Sequence, residues 1–146
     1  MADWDNRFMS LAQHVAEWSK DRSSKVGAVI VGPDNEVRAI GYNGFPMKVD
    51  EDIPARHERP EKYLWMEHAE RNAIYFAARV GTPLAGCRMY VNWFPCMDCA
   101  RAIVQAGISA LIARKPDLSD SQWGDGFQKS LQLLNETRTT IRWHEE

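Results

Sequence analysis

Apolar residues recur at helical spacing through Trp4, Phe8, Leu11, Ala12, Val15 and Trp18, and Asp3 stands where it can cap the first turn. An amphipathic helix over 4–18 is predicted, its stripe turned toward the core. The pattern then changes period. Residues 25–31 and 37–42 are β-branched runs separated by Gly32-Pro33-Asp34-Asn35, turn chemistry that predicts an antiparallel hairpin. Farther along, a helix over 66–79, a strand over 87–93, a helix over 95–105, a strand over 109–114, a helix over 121–135 and a strand over 139–143 alternate. Such alternation predicts an α/β fold, a layered sheet with helices on its faces, in which most strands after the hairpin run parallel through crossover helices.

Residues 44–63 break this regularity. They form a polar stretch with Pro46, Pro54 and Pro60 and charges of both signs, too long for an ordinary connection. The stretch joins the hairpin to the helix over 66–79, so it is expected to start and end close together and to fold over a bound molecule. Lys48, Arg56 and Arg59 are its candidate phosphate contacts, each also readable as a solvated surface charge.

Length and composition narrow the class. A chain of 146 residues with 45% hydrophobic content is sized for a single domain, 1–146, around one core. No apolar run approaches the ~20 residues of a membrane-spanning helix. The start Met1-Ala2-Asp3-Trp4-Asp5 is acidic where a signal peptide is basic, so a soluble cytoplasmic protein is expected. Three cysteines argue against a disulfide framework and agree with a reducing compartment. A net charge of −2 without a basic stripe favours a small substrate over a polynucleotide.

The chemistry lies in two short segments, His68-Ala69-Glu70 and Pro95-Cys96-Met97-Asp98-Cys99. One imidazole and two thiolates, from His68, Cys96 and Cys99, suit Zn²⁺ as the cofactor, and three protein ligands leave the fourth tetrahedral position open for water. If Pro95 opens a helix, Cys96 and Cys99 share its first turn, while the helix over 66–79 carries His68 and Glu70 in its opening turn. Two helix N-termini then converge on the ion and favour thiolate over thiol. Glu70 diverges from the His68 direction yet stays beside the open position, as a proton-transferring carboxylate must. A C-x-x-C pair alone is a weak signal, common in redox motifs and structural zinc ribbons. A structural site needs a fourth ligand, and Cys87, His14, His57 and His144 all lie outside ligand-like spacing from the pair. Cys87 begins a strand-like run and reads as a buried, inert thiol.

The H-x-E and P-C-x-x-C segments together form the signature of zinc-dependent nucleobase deaminases. Four segments occur in order: Val26-Gly27-Ala28-Val29-Ile30-Val31; Gly41-Tyr42-Asn43-Gly44-Phe45-Pro46; His68-Ala69-Glu70-Arg71-Asn72-Ala73-Ile74; and Phe94-Pro95-Cys96-Met97-Asp98-Cys99-Ala100. In that order, and over nearly its whole length, the chain resembles the deoxycytidylate deaminases. The resemblance implies the cytidine deaminase-like fold, a three-layer αβα sandwich with a mixed five-stranded sheet. It also implies hydrolytic deamination of dCMP to dUMP and ammonia by a zinc-bound hydroxide, and a homo-oligomer, commonly a hexamer. Carried over by position, His68, Cys96 and Cys99 match the zinc ligands, Glu70 the proton shuttle, and Asn43 a sugar-hydroxyl contact. Asn43 also reads as a residue tolerating a left-handed turn beside Gly44. Ala69 would offer its N–H to the pyrimidine carbonyl, and Trp93 or Phe94 would wall the pocket. Residues 47–65 depart most from the family pattern, and family regulation by dCTP and dTTP is not carried over.

Three other readings compete. Deaminases of tRNA adenosine share the metal core but act on a polyanion, for which this chain lacks a basic surface. A free-base or nucleoside deaminase would keep the metal chemistry and lose phosphate recognition. A non-catalytic zinc-stabilised nucleotide sensor would have no use for Glu70.

Overall fold

Each inner strand of the computed structural model, which describes residues 3–145, turns alternate side chains to two covered faces. Helix α1 (Trp4–Ala16) is capped by Asp3, whose carboxylate accepts the N–H of Asn6 at 3.1 Å. It ends two residues short of Trp18, which stays 48% exposed and edge-on to Tyr42 rather than joining the buried stripe. The chain turns off there so that the Ser19 hydroxyl can donate to the Asn43 carbonyl at 2.8 Å.

Strands β1 (Gly27–Val31) and β2 (Val37–Tyr42) form the antiparallel hairpin, with Asn35 left-handed at φ 64° in its turn. β1 starts later than expected because the backbone of residues 25 and 26 is bonded to side chains: the Lys25 carbonyl accepts from Asn92 and the Val26 N–H donates to Asn43. β3 (Arg88–Val91) pairs antiparallel with β1 and parallel with β4 (Ala110–Ala113), which pairs parallel with β5 (Thr140–Trp143). The order is β2-β1-β3-β4-β5, a mixed five-stranded sheet with the later strands parallel, as expected.

On one face Ala28, Ile30, Met89, Val91, Leu111 and Ala113 meet helices α3 (Ala69–Val80), α4 (Met97–Gln105) and α5 (Gly124–Glu136). On the other, Val29, Val31, Tyr90 and Ile112 meet Phe8, Met9 and Ala12 of α1. Three αβα layers result. The covering helices lie close: a Cβ on Gly41 would overlap the backbone of Ala69 and Ala73, and one on Gly27 would overlap the backbone of Ala12 and Ala16. Asn72 of α3 also donates to the Tyr42 carbonyl at 2.8 Å, so the first turns of α3 are pinned to β2.

The long insertion is not a structureless loop. It holds a 3₁₀ turn (Pro54–His57) and a short helix α2 (Lys62–Trp65). Its ends are joined by an antiparallel bridge in which the Gly44 N–H donates to the Glu67 carbonyl at 3.1 Å and the Glu67 N–H to the Gly44 carbonyl at 2.7 Å. That bridge corrects the expected helix over 66–79. Met66 and His68 are extended, Glu67 is committed to the bridge, and α3 starts only at Ala69. No helix among the described residues is long and apolar enough to cross a membrane.

Candidate metal centre and active site

α3 and α4 pack against each other, and each begins just past a residue with extended backbone: His68 (φ −84°, ψ 152°) and Cys96 (φ −69°, ψ 173°). The expectation that Pro95 opens α4 is therefore corrected by two positions, to Met97, and His68, expected within α3, stands just before its first residue. His68 and Cys96 are capping residues, and Cys99 is the third residue of α4. An extended residue at a helix start swings its side chain across the end of the axis, so the donors gather where two sets of unpaired N–H groups open.

The Nδ1 of His68 lies 3.4 Å from the Cys96 sulfur and 3.5 Å from the Cys99 sulfur, and the three donor atoms all fall within 4.8 Å of one another. Tetrahedral zinc, with bonds of about 2.0 Å to nitrogen and about 2.3 Å to sulfur, puts such donors about 3.6 Å apart. The residues fit the ion. Their acid–base chemistry agrees: the hydrogen bond from Cys99 pulls the Cys96 thiol down against the cost of burial, while that same contact and burial push Cys99 up. The hydrogen bond to Cys96 in turn raises the His68 imidazole. Two touching thiols ionise together only when a cation lies between them, which is what a divalent metal supplies.

Glu70 is the second residue of α3, 3% exposed, and stands outside the donor set. Burial pushes its carboxyl up, despite the His68 charge nearby. A carboxyl moved toward neutrality both takes and gives protons readily.

Glu70 lines a cavity of about 140 Å³ together with His68, Ala69, Phe94 and Cys96. Ala69, as the first helical residue, has an N–H with no intrahelical acceptor. Asp21, Ser24, Asn43, Arg59 and Lys62 add a polar lining, and the partly exposed Tyr63, Trp93 and Trp123 an aromatic rim. Phe94 is buried and Trp93 is 42% exposed, so both pocket-wall candidates reach the cavity, at different depths.

Asn43 is at the pocket with its side chain already engaged: its Oδ1 accepts the Val26 N–H and its Nδ2 donates to the Ser24 carbonyl, both at 2.9 Å. One lone pair and one N–H remain for a ligand. The reading of Asn43 as left-handed is overturned, since among the described non-glycine residues only Asn35, Lys48 and Arg138 have positive φ. Of the three basic candidates, Arg59 alone lines the cavity. Arg56 lies 3.7 Å over the Trp65 ring and donates to the Asp50 carbonyl, and Lys48 sits away in an exposed turn. Cys87 is fully buried with its thiol pushed up by burial, as expected of an inert residue.

Two residues escaped sequence reasoning. Lys62 lines the cavity while buried to 7% exposure, its charge matched to Asp21; nothing in the surrounding residues distinguished it from the other basic side chains of the insertion. Arg71 contacts Glu67 at 2.6 Å and Asp98 at 3.4 Å, tying α3 to α4 beside the thiols. Its place directly after His68-Ala69-Glu70 was the available signal.

A family model described as the cytidine and deoxycytidylate deaminase zinc-binding region matches residues 2–115. An Aliivibrio fischeri protein described as an uncharacterized deaminase in the luxG 3′ region is 39% identical over 146 residues, covering 98% of this chain and 95% of its own. The deoxycytidylate deaminase of Homo sapiens is 40% identical over 145 residues, covering 96% of this chain and 79% of its own. Among solved structures, the dCMP deaminase of the cyanophage S-TIM5 in complex with dCMP and dUMP superposes with a TM-score of 0.77 over 95% of each chain, at 22% identity. By the family model, and by relatives about 40% identical over nearly its whole length, the chain belongs to the cytidine and deoxycytidylate deaminase family.

Proposed function

We propose that the protein hydrolyses the exocyclic amino group of a cytosine nucleotide, converting dCMP to dUMP and ammonia. The observation that carries this is the pairing within one cavity of a buried unligated carboxylate, Glu70, beside a zinc-fitting triad, with two cations, Arg59 and Lys62, in the same lining. A base held beside Glu70 and a phosphate held by the two cations match those chemistries.

Zinc held by His68, Cys96 and Cys99 would supply an activated water beside Glu70. Glu70 would take a proton from that water and give it to the ring nitrogen N3 as the C4–O bond forms, then take the remaining proton from the new C4 hydroxyl and deliver it to the amino group as the C4–N bond breaks. The books balance: water enters, ammonia leaves, and Glu70 returns to its starting state. Ala69 donates its backbone N–H to the pyrimidine carbonyl, and Phe94 and Trp93 flank the ring. The spare donor and acceptor of Asn43 meet a sugar hydroxyl. Arg59 and Lys62 meet the phosphate, Lys62 through what its Asp21 and Ser23 contacts leave free. A homo-oligomer in the cytoplasm belongs to the same reading, supported by the kinship with deoxycytidylate deaminases.

Zinc-loaded protein assayed side by side on dCMP, deoxycytidine, dCTP, cytosine and guanine tests the proposal. Ammonia release is expected to be fastest with dCMP. Equal rates on deoxycytidine would remove the phosphate assignment, and no release from any of them would remove the enzyme.

A further inference from the structure

The cavity has a direction. Its deep end is sealed by Glu70 and Phe94, at 3% and 2% exposure, whereas Tyr63 and Trp123 at the rim are 45% and 39% exposed. These two rim residues come from separate segments, Tyr63 from α2 in the insertion and Trp123 from the connection between β4 and α5. They meet edge to face, with ring centroids 6.2 Å apart at 83°, and Gln122 adds a bond from its Nε2 to the Tyr63 hydroxyl at 3.4 Å.

The same tyrosine gathers the cations of the polar lining. The Arg59 guanidinium lies 6.0 Å from its ring centroid and the Lys62 ammonium 5.9 Å. A phosphate held by those two groups therefore rests against Tyr63, and the way outward past it runs into the contact with Trp123. Charge points the same way. Apart from the metal donor His68, Arg59 and Lys62 are the only basic residues among the described lining residues, and Asp21 offsets one of them. Two cations less one carboxylate leave about one net positive charge, already less than the about −1.5 to −2 that a phosphomonoester carries at neutral pH. Each added phosphate would bring charge that the lining has no cation to meet.

We propose that Tyr63 and Trp123 set the length of phosphate chain the pocket accepts, closing it directly beyond a single phosphate and so excluding di- and triphosphates. The pair are specificity-determining residues. This rests on the reading of the cavity as a cytosine-nucleotide site.

The test is the ratio of kcat/KM for dCTP to that for dCMP in the parent, Tyr63→Phe, Tyr63→Ala and Trp123→Ala. Because both side chains are well exposed, the alanine variants leave no core cavity. The expected result is a ratio raised by about tenfold or more in each alanine variant, mainly through a lower KM for dCTP. Tyr63→Phe, which keeps the ring contact, should hold the parent ratio. Ratios unchanged in both alanine variants, or a parent that uses dCTP as well as dCMP, would overturn the inference while dCMP turnover persists. A parent that deaminates no cytosine nucleotide overturns the functional reading beneath it instead.

Discussion

The Nζ of Lys62 lies 3.3 Å from both carboxylate oxygens of Asp21 and 2.6 Å from the Ser23 hydroxyl, seating the short helix of the insertion into the turn that follows α1. The two side chains are 9% and 6% exposed, so neither charge has water to fall back on. Removing one partner of such a pair strands the other, at a cost of about 3–5 kcal/mol. Asp21→Asn should lose that much in urea unfolding, and Asp21→Asn combined with Lys62→Met should recover much of it. A loss well under 1 kcal/mol in the single variant, ~0.5 or less as for a solvent-screened pair, would show that the pair does not clamp the insertion.

The same aspartate predicts an acid limb of stability. Burial works to raise its carboxyl, but the N–H groups of Ser24 and Ser23, the Ser23 hydroxyl and Lys62 together hold it below its ordinary 3.8. A depressed folded value means the stabilisation is complete above 3.8 and drains away as pH falls through the folded value. The unfolding free-energy gap between parent and Asp21→Asn should thus stay flat from neutrality into the carboxylate range and then close. A gap independent of pH throughout would contradict it.

Glu70→Gln separates chemistry from structure. The amide fills the same buried volume and spares the fold a carboxyl that burial disfavours, so melting temperature and zinc content should match or exceed the parent. Turnover of dCMP should fall by about 10²–10⁴-fold or more. Parent-like turnover would remove Glu70 from its role.

Cys99→Ser should fail at an earlier step. A hydroxyl is a harder and far less acidic donor than the thiol it replaces, so zinc should be lost to a chelator at concentrations the parent withstands. Metal content measured after dialysis reads this directly, independent of activity, and full zinc retention would place the ion elsewhere.

Gly41→Ala tests how the sheet holds the site. Its new methyl would strike the backbone of Ala69 and Ala73, which cannot rotate aside. Overpacking of this kind costs about 1–3 kcal/mol. Because Ala69 and Glu70 ride on the displaced turn, dCMP turnover should fall along with stability, whereas a change in stability alone would mean that α3 yields without moving its first residues.

The layered sheet and the hairpin were legible because each follows from local periodicity, and the zinc-fitting triad because two short segments 28 positions apart carry donor types that suit one ion. The starts of α3 and α4 were not, since helix-forming residues at 66–68 are overridden by the Gly44 bridge, a contact between distant positions. Trp18 read as core because its spacing continued the stripe, while the chain leaves the helix for a bond with Asn43. Lys62 resisted for a related reason: its partner Asp21 lies 41 positions away, and only folding reveals which of several cations is matched. Local chemistry was readable, and pairings across the insertion were not.

Stitching Gly44 to Glu67 sets both ends of the intervening visor on the sheet side of the site, while Lys62 seats its short helix against Asp21. Its two feet stand on one rung of hydrogen bonds, so lengthening or shortening the span between them adds only about 0.6 kcal/mol per doubling and leaves the His68 anchor in place. The visor can therefore vary while the metal centre keeps its place, so what is admitted can change before what is done to it.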